Sequence, residues 1–165
     1  MYTVDDLDQL VELLSVPKQE PNVPDPAVFA KESLLVLSYW ERDDPPLHPT
    51  TQPMAAVVFE YPYFHLFGPP NDEAISGHPL YNRNLLPGRA YTVKRSSLVR
   101  HLEKMNSVHR NHDPRRSDAL THYLFTFRDS VFECVAKAHK ATTEGVGIEK
   151  ESRTFEIFNK ARARG

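Results

Sequence analysis

Cysteine is nearly missing: Cys134 is the only one in 165 residues, which rules out an internal disulfide and a cysteine-based zinc site within one chain. Long hydrophobic runs are missing too. No apolar stretch approaches the roughly 20 residues of a membrane span, and the opening MYTVDDLDQL has neither a basic leader nor an apolar core. The expectation is a cytoplasmic protein with no membrane partner. Net charge is small, −2 with a pI near 6.4, so bulk electrostatics give no case for nucleic acid. Glycine-rich phosphate loops, internal repeats and an alternating strand–helix pattern are also lacking, which argues against nucleotide-type folds and implies no cofactor. The 40% hydrophobic and 25% charged content suits one domain over 1–165, with 160–165 as a frayed basic tail.

What is present is patterned. Val4, Leu7, Leu10, Val11 and Leu14 recur at helical spacing behind Thr3 and Asp6, predicting a helix from Val4 to Ser15 that Pro17 stops. Twelve of the fourteen prolines precede Leu80, so the first half is expected to be strand and loop, with an extended connector over Pro21 to Pro26. Strands are predicted at Ser33–Glu41, Met54–Tyr61, Tyr63–Phe67 and Arg89–Arg95, with a last short one at Ser152–Phe158. His65 reads as a core or half-buried histidine. Glu41–Pro53 and Val108–Asp118 read as loops, and Ser96 or Ser97 caps a helix carrying Leu98, Leu102 and Met105 on one side.

The most informative stretch is THYLFTFRDSVFECVAKAH, residues 121–139. A turn at Asp129-Ser130 sets Phe127 against Phe132, Phe125 against Cys134 and Tyr123 against Ala136. One face is then apolar, with Cys134 as a small buried hydrophobe. The other carries His122, Leu124, Thr126, Arg128, Val131, Glu133, Val135, Lys137 and His139, and turn residues over Thr142–Gly147 end the hairpin. The fold class that follows is α+β, an antiparallel sheet with an N-terminal helix and one mid-chain helix packed on it.

Charge is uneven. Met1–Val16 holds Asp5, Asp6, Asp8 and Glu12 without a basic residue, whereas Arg83–Arg116 holds nine Lys or Arg against Glu103 and Asp113. Salt bridges and a solvated face are the plain reading of both, with an anion-binding patch as the sharper one. Three polar groups could carry chemistry. The first is Asn71, Asp72, Glu73, His78 and Tyr81 in the loop Gly68–Tyr81; adjacent carboxylates beside a histidine suit acid/base work, although Asp72 and Glu73 are equally suited to a turn and a helix cap. The second is His109-x-x-His112-Asp113, short enough for metal chelation but without the helical scaffold that makes such spacing specific. The third is the polar hairpin face, from which Arg128 could meet a carboxylate or phosphate.

PNDEAISGHPLY (70–81), SSLVRHLEKMNSVH (96–109) and HYLFTFRDSVFECVA (122–136) together resemble a family of small uncharacterised bacterial proteins, over roughly Tyr61–Ala138. The resemblance implies motif membership for Asn71, Asp72, Glu73, Gly77, His78, Pro79, Tyr81, His122, Asp129, Ser130 and Glu133, and no activity. Its pattern commonly has histidine where this chain has Arg128, which favours a structural or anion-contact role there over proton transfer. The resulting expectation is a small-molecule-binding protein, with a pocket between the 68–81 loop and the hairpin. In its enzymatic form His78 carries the proton, Asp72 or Glu73 orients it, and Asn71, Tyr81, His122, Arg128 and Glu133 hold the ligand. The alternatives are a non-catalytic module that docks a protein partner, and a metal hydrolase built on His78, His109, His112 and Asp113.

Overall fold

The computed structural model describes residues 2–42, 52–145 and 149–163. Its elements are β1 (Gln9–Glu12), β2 (Ala27–Lys31), β3 (Leu34–Trp40), β4 (Met54–Glu60), β5 (Phe64–Gly68), β6 (Ala90–Lys94), α1 (Ser97–Asn106), α2 (Arg115–Asp118), β7 (Thr121–Thr126), β8 (Val131–Ala136), β9 (Ala138–Glu144) and α3 (Lys150–Arg162). The class is α+β, but with two antiparallel sheets, ordered β1-β6-β7-β8-β5 and β2-β3-β4-β9. The chain changes sheets between β1 and β2, then at Tyr61–Tyr63, where Pro62 breaks the run, and again at Lys137.

The sheets meet face to face. Leu35, Leu37 and Tyr39 of β3 and Ala55, Val57 and Phe59 of β4 pack on Tyr123, Phe125, Phe127, Phe132, Cys134 and Ala136. The apolar hairpin face is therefore the floor of the core, and burial pushes the Cys134 thiol up to about 12. The turn, however, lies one residue earlier than expected. Phe127 N–H donates to Ser130 O at 2.8 Å, so Arg128 and Asp129 form the loop, Phe125 faces Phe132 and Tyr123 faces Cys134. The shift preserves parity, and every side chain keeps its face.

The opposite hairpin face is not open, as the sequence suggested. Ile75, Leu80 and Leu85 cover Leu124 and Val131, while Leu98 and Tyr2 cover Val135. Lys137 and His139 leave that face altogether: β9 joins the second sheet, and the His139 ring lies against Phe59 and Tyr123.

Three assignments are corrected. Residues 4–15 form no helix; β1 pairs with β6, leaving Leu7, Val11 and Leu14 exposed. Ladder bonds to the otherwise free edge of β6 and the burial of Asp8 outweigh the helical periodicity. Residues 152–158 are helical within α3, because Thr154, Phe158 and Ala161 recur at helical spacing and cover the outer face of β3 and β4, where Leu34, Val36, Met54 and Ala56 lie. His65 is exposed on β5, an edge strand. In addition, β2 follows the expected connector where no strand was assigned, α2 forms inside a stretch read as loop, β9 takes up Thr142–Glu144, and α3 runs into the expected tail. Parts of the expected loop 41–53, of the turn 142–147 and of the tail lie outside the described residues. No helix among the described residues is long and apolar enough to cross a membrane.

Candidate functional site

Glu133 faces outward at the middle of β8, opposite Leu124 of β7 and Leu66 of β5. It is buried at 3% exposure and surrounded by donors. Tyr2 OH donates to Oε2 at 2.6 Å, and His122 Nε2 lies 2.8 Å from the same oxygen. His78 Nδ1 accepts the Leu80 N–H at 3.2 Å, which leaves the proton on Nε2, 3.4 Å from Glu133 Oε1. Burial alone raises a carboxyl pKa, yet the hydrogen bonds from His122 and Tyr2, with the His78 imidazole 3.4 Å away, outweigh it and hold Glu133 well below the usual range. Burial and the Glu133 charge push the Tyr2 hydroxyl strongly up, so it stays a donor.

Beyond His122 the network reaches α1. Arg95, at φ 50°, turns the chain out of β6, and Ser96 caps α1 by accepting the Val99 N–H at 3.2 Å. Ser96 Oγ is also 2.8 Å from His122 Nδ1. The next residue is held by the N-terminal segment: Ser97 N–H donates to Asp8 Oδ1 at 2.7 Å, and its hydroxyl meets Asp8 Oδ2.

Ser96–His122–Glu133 has the connectivity of a serine nucleophile, base and orienting acid. Ser96 is 5% and His122 1% exposed, and the Tyr2 ring stands edge-on to His122 at 6.1 Å. The hydroxyl also serves the helix cap and the group is buried, so the constellation pins together the N-terminus, the 68–81 loop, α1 and the hairpin.

The other expected site residues lie elsewhere. Asn71 Oδ1 accepts the Ala74 N–H at 3.0 Å and shapes a turn, Glu73 is exposed, and Tyr81 is exposed at the start of a single 3₁₀ turn. Asp72 and Arg128 come together at the far end of the hairpin, where Asp72 N–H donates to Arg128 O at 2.8 Å. Both line a cavity of about 460 Å³ at the open end of the sandwich; His78 does not. The expected common cleft of His78 and Arg128 is thus two places, one closed and one open.

This open basin has Tyr39 and Phe125, from opposite sheets, among its lining residues. Tyr39 OH donates to Pro17 O at 2.7 Å, and burial pushes its pKa strongly up. Its cations are Lys18, Arg42, Arg89 and Arg128 against Glu12 and Asp72. Arg89 pairs with Glu12 at 2.6 Å, which leaves three cations facing Asp72. Lys18 and Arg42 are joined by the bond from Arg42 N–H to Lys18 O, 2.7 Å, while Arg128 arrives from the hairpin turn and also donates to Asn22 O at 3.1 Å.

Sequence reasoning missed Tyr2, Asp8, Lys18, Tyr39 and Arg42 as site residues. Of the network, only the Ser96 cap carried a local signal. His109, His112 and Asp113 do not meet His78 in a metal site, and among the described residues no group of three or more His, Cys, Asp or Glu is placed to hold a metal. Comparison with protein-family models, curated proteins and solved structures gives no match.

Proposed function

We propose that the protein binds a small anionic molecule with a flat apolar body, seated in the basin at the open end of the sandwich. The observation that carries this reading is the meeting of Tyr39 and Phe125 with three cations that the basin's carboxylates, among the described residues, do not balance. A cavity of about 460 Å³ lies in the size range of small-molecule sites. Cations supplied from two sides, Lys18 with Arg42 and Arg128 opposite Asp72, suit a ligand bearing two carboxylates. Arg128 thereby keeps the anion-contact role, while His78, His122 and Glu133 serve the scaffold and are withdrawn from catalysis. The reading is binding without turnover. Docking through the basic span is the second reading, and Arg83, Arg89 and Arg100 contribute less to it because they are paired with Asp6, Glu12 and Asp5.

Isothermal titration with isophthalate, benzoate and the neutral isophthalamide tests the reading. Isophthalate should bind tightest and isophthalamide not at all. Arg128→Ala and Arg42→Ala should each weaken isophthalate by about 1.5–3 kcal/mol, the worth of a hydrogen bond to a charged group. Equal binding of the neutral amide, or an unchanged affinity in both variants, would refute it.

A further inference from the structure

The His109-x-x-His112-Asp113 stretch takes no part in the basin, yet it borders a separate cavity of about 580 Å³ between α1, the 109–120 segment and the bend from β8 to β9. Tyr63 and Leu120 give this cavity an apolar wall, and Glu103, His112, Arg116 and Lys137 supply its charge. Its carboxylates are spoken for. Glu103 Oε1 lies 2.7 Å from His112 Nε2, and Asp113 is gripped by Arg115 through contacts of 2.9 Å, which hold its carboxyl below the usual range.

Arg116 and Lys137 are left without a carboxylate within ion-pair distance among the described residues. The Lys137 ammonium instead stands 4.8 Å over the Tyr61 ring. His112 is held by Glu103 through one nitrogen, so Nδ1 is the atom left for a ligand. Two cations and an oriented imidazole beside an aromatic wall match the three oxygens of a phosphate monoester better than the two of a carboxylate.

We propose that this cavity is a second binding site, taking an aryl phosphate. Arg116 and Lys137 hold the phosphate, His112 Nδ1, left as an acceptor because Nε2–H donates to Glu103, accepts from the P–O–H of the monoester, and the ring lies along Tyr63 and Leu120. The site is independent of the basin and stands whether or not the basin binds dicarboxylates.

The probe is phenyl phosphate, followed through the imidazole ¹H–¹⁵N signals of His112, with inorganic phosphate and phenol as fragments. The expected result is a saturable shift at His112 and tighter binding of phenyl phosphate than of either fragment. Arg116→Ala and Lys137→Ala, both changes at exposed side chains, should each weaken binding about tenfold. Arg128→Ala, in the basin, should leave the affinity unchanged. No saturable shift at His112, or equal weakening by Arg128→Ala and Arg116→Ala, would overturn the proposal.

Discussion

Glu133 illustrates how one side chain can be conspicuous in sequence and still mislead. Alternation along residues 131–136 places it on the face opposite Phe132 and Cys134, as found. That alternation cannot report that Tyr2, 131 residues away, covers it. A carboxylate expected to line a ligand pocket is in fact buried, with Oε2 bonded to Tyr2 and His122. Its pH signature follows. The folded pKa is depressed, so Glu133 contributes stability above its unfolded value near 4.5 and loses it as pH falls through that value toward the folded one. Urea unfolding measured from pH 5 down to about 2 should show declining stability, and Glu133→Gln should flatten that slope while costing about 3 kcal/mol at pH 7. An unchanged slope in the variant would mean that the carboxylate is not held as described. That Arg128 lies at the end of the hairpin was legible from its place beside the turn; that Lys18 and Arg42 join it at one cavity was not, because nothing local links residues 18, 42 and 128.

Among the elements, strands with strong alternation or continuous apolar runs were readable, and so was α1 with its serine cap. The hairpin faces survived a misplaced turn because moving the loop by one residue shifts both strands together and conserves parity. The two failures share a cause. Residues 4–15 have helical periodicity but lie along a sheet edge that offers ladder hydrogen bonds, and residues 152–158 look strand-like until the outer face of β3 and β4 requires a helical stripe. Both outcomes depend on partners distant in sequence. At this scale the pin makes a clear prediction. Ser96→Ala removes the α1 cap and strands His122 Nδ1, so it should cost about 2 kcal/mol in denaturant unfolding, well beyond a surface serine substitution. A loss under about 0.5 kcal/mol would show that the network is not holding α1.

Across the whole molecule, the two charge blocks of the sequence turn out to answer each other. The acidic N-terminal segment lies against part of the basic span through Arg83–Asp6, Arg89–Glu12 and Arg100–Asp5, so these three cations are used within the chain. Exposed pairs of this kind add little to stability, and the ladder between β1 and β6 with the buried Asp8 does the holding. Added salt should therefore shift the unfolding midpoint of the free protein only slightly, but should weaken isophthalate binding at the basin, where Lys18, Arg42 and Arg128 outnumber Asp72 among the described residues. An affinity indifferent to salt would contradict a cation-led site.

The division of the molecule into a closed pin and an open basin is tested most directly by mapping backbone amide shifts on adding isophthalate. The account predicts saturable shifts at Lys18, Gln19, Gly88 and Arg128, with His78, Leu80 and His122 unmoved. Shifts centred on His78 and His122 instead would show that the buried network opens to ligand and that the basin is not the site.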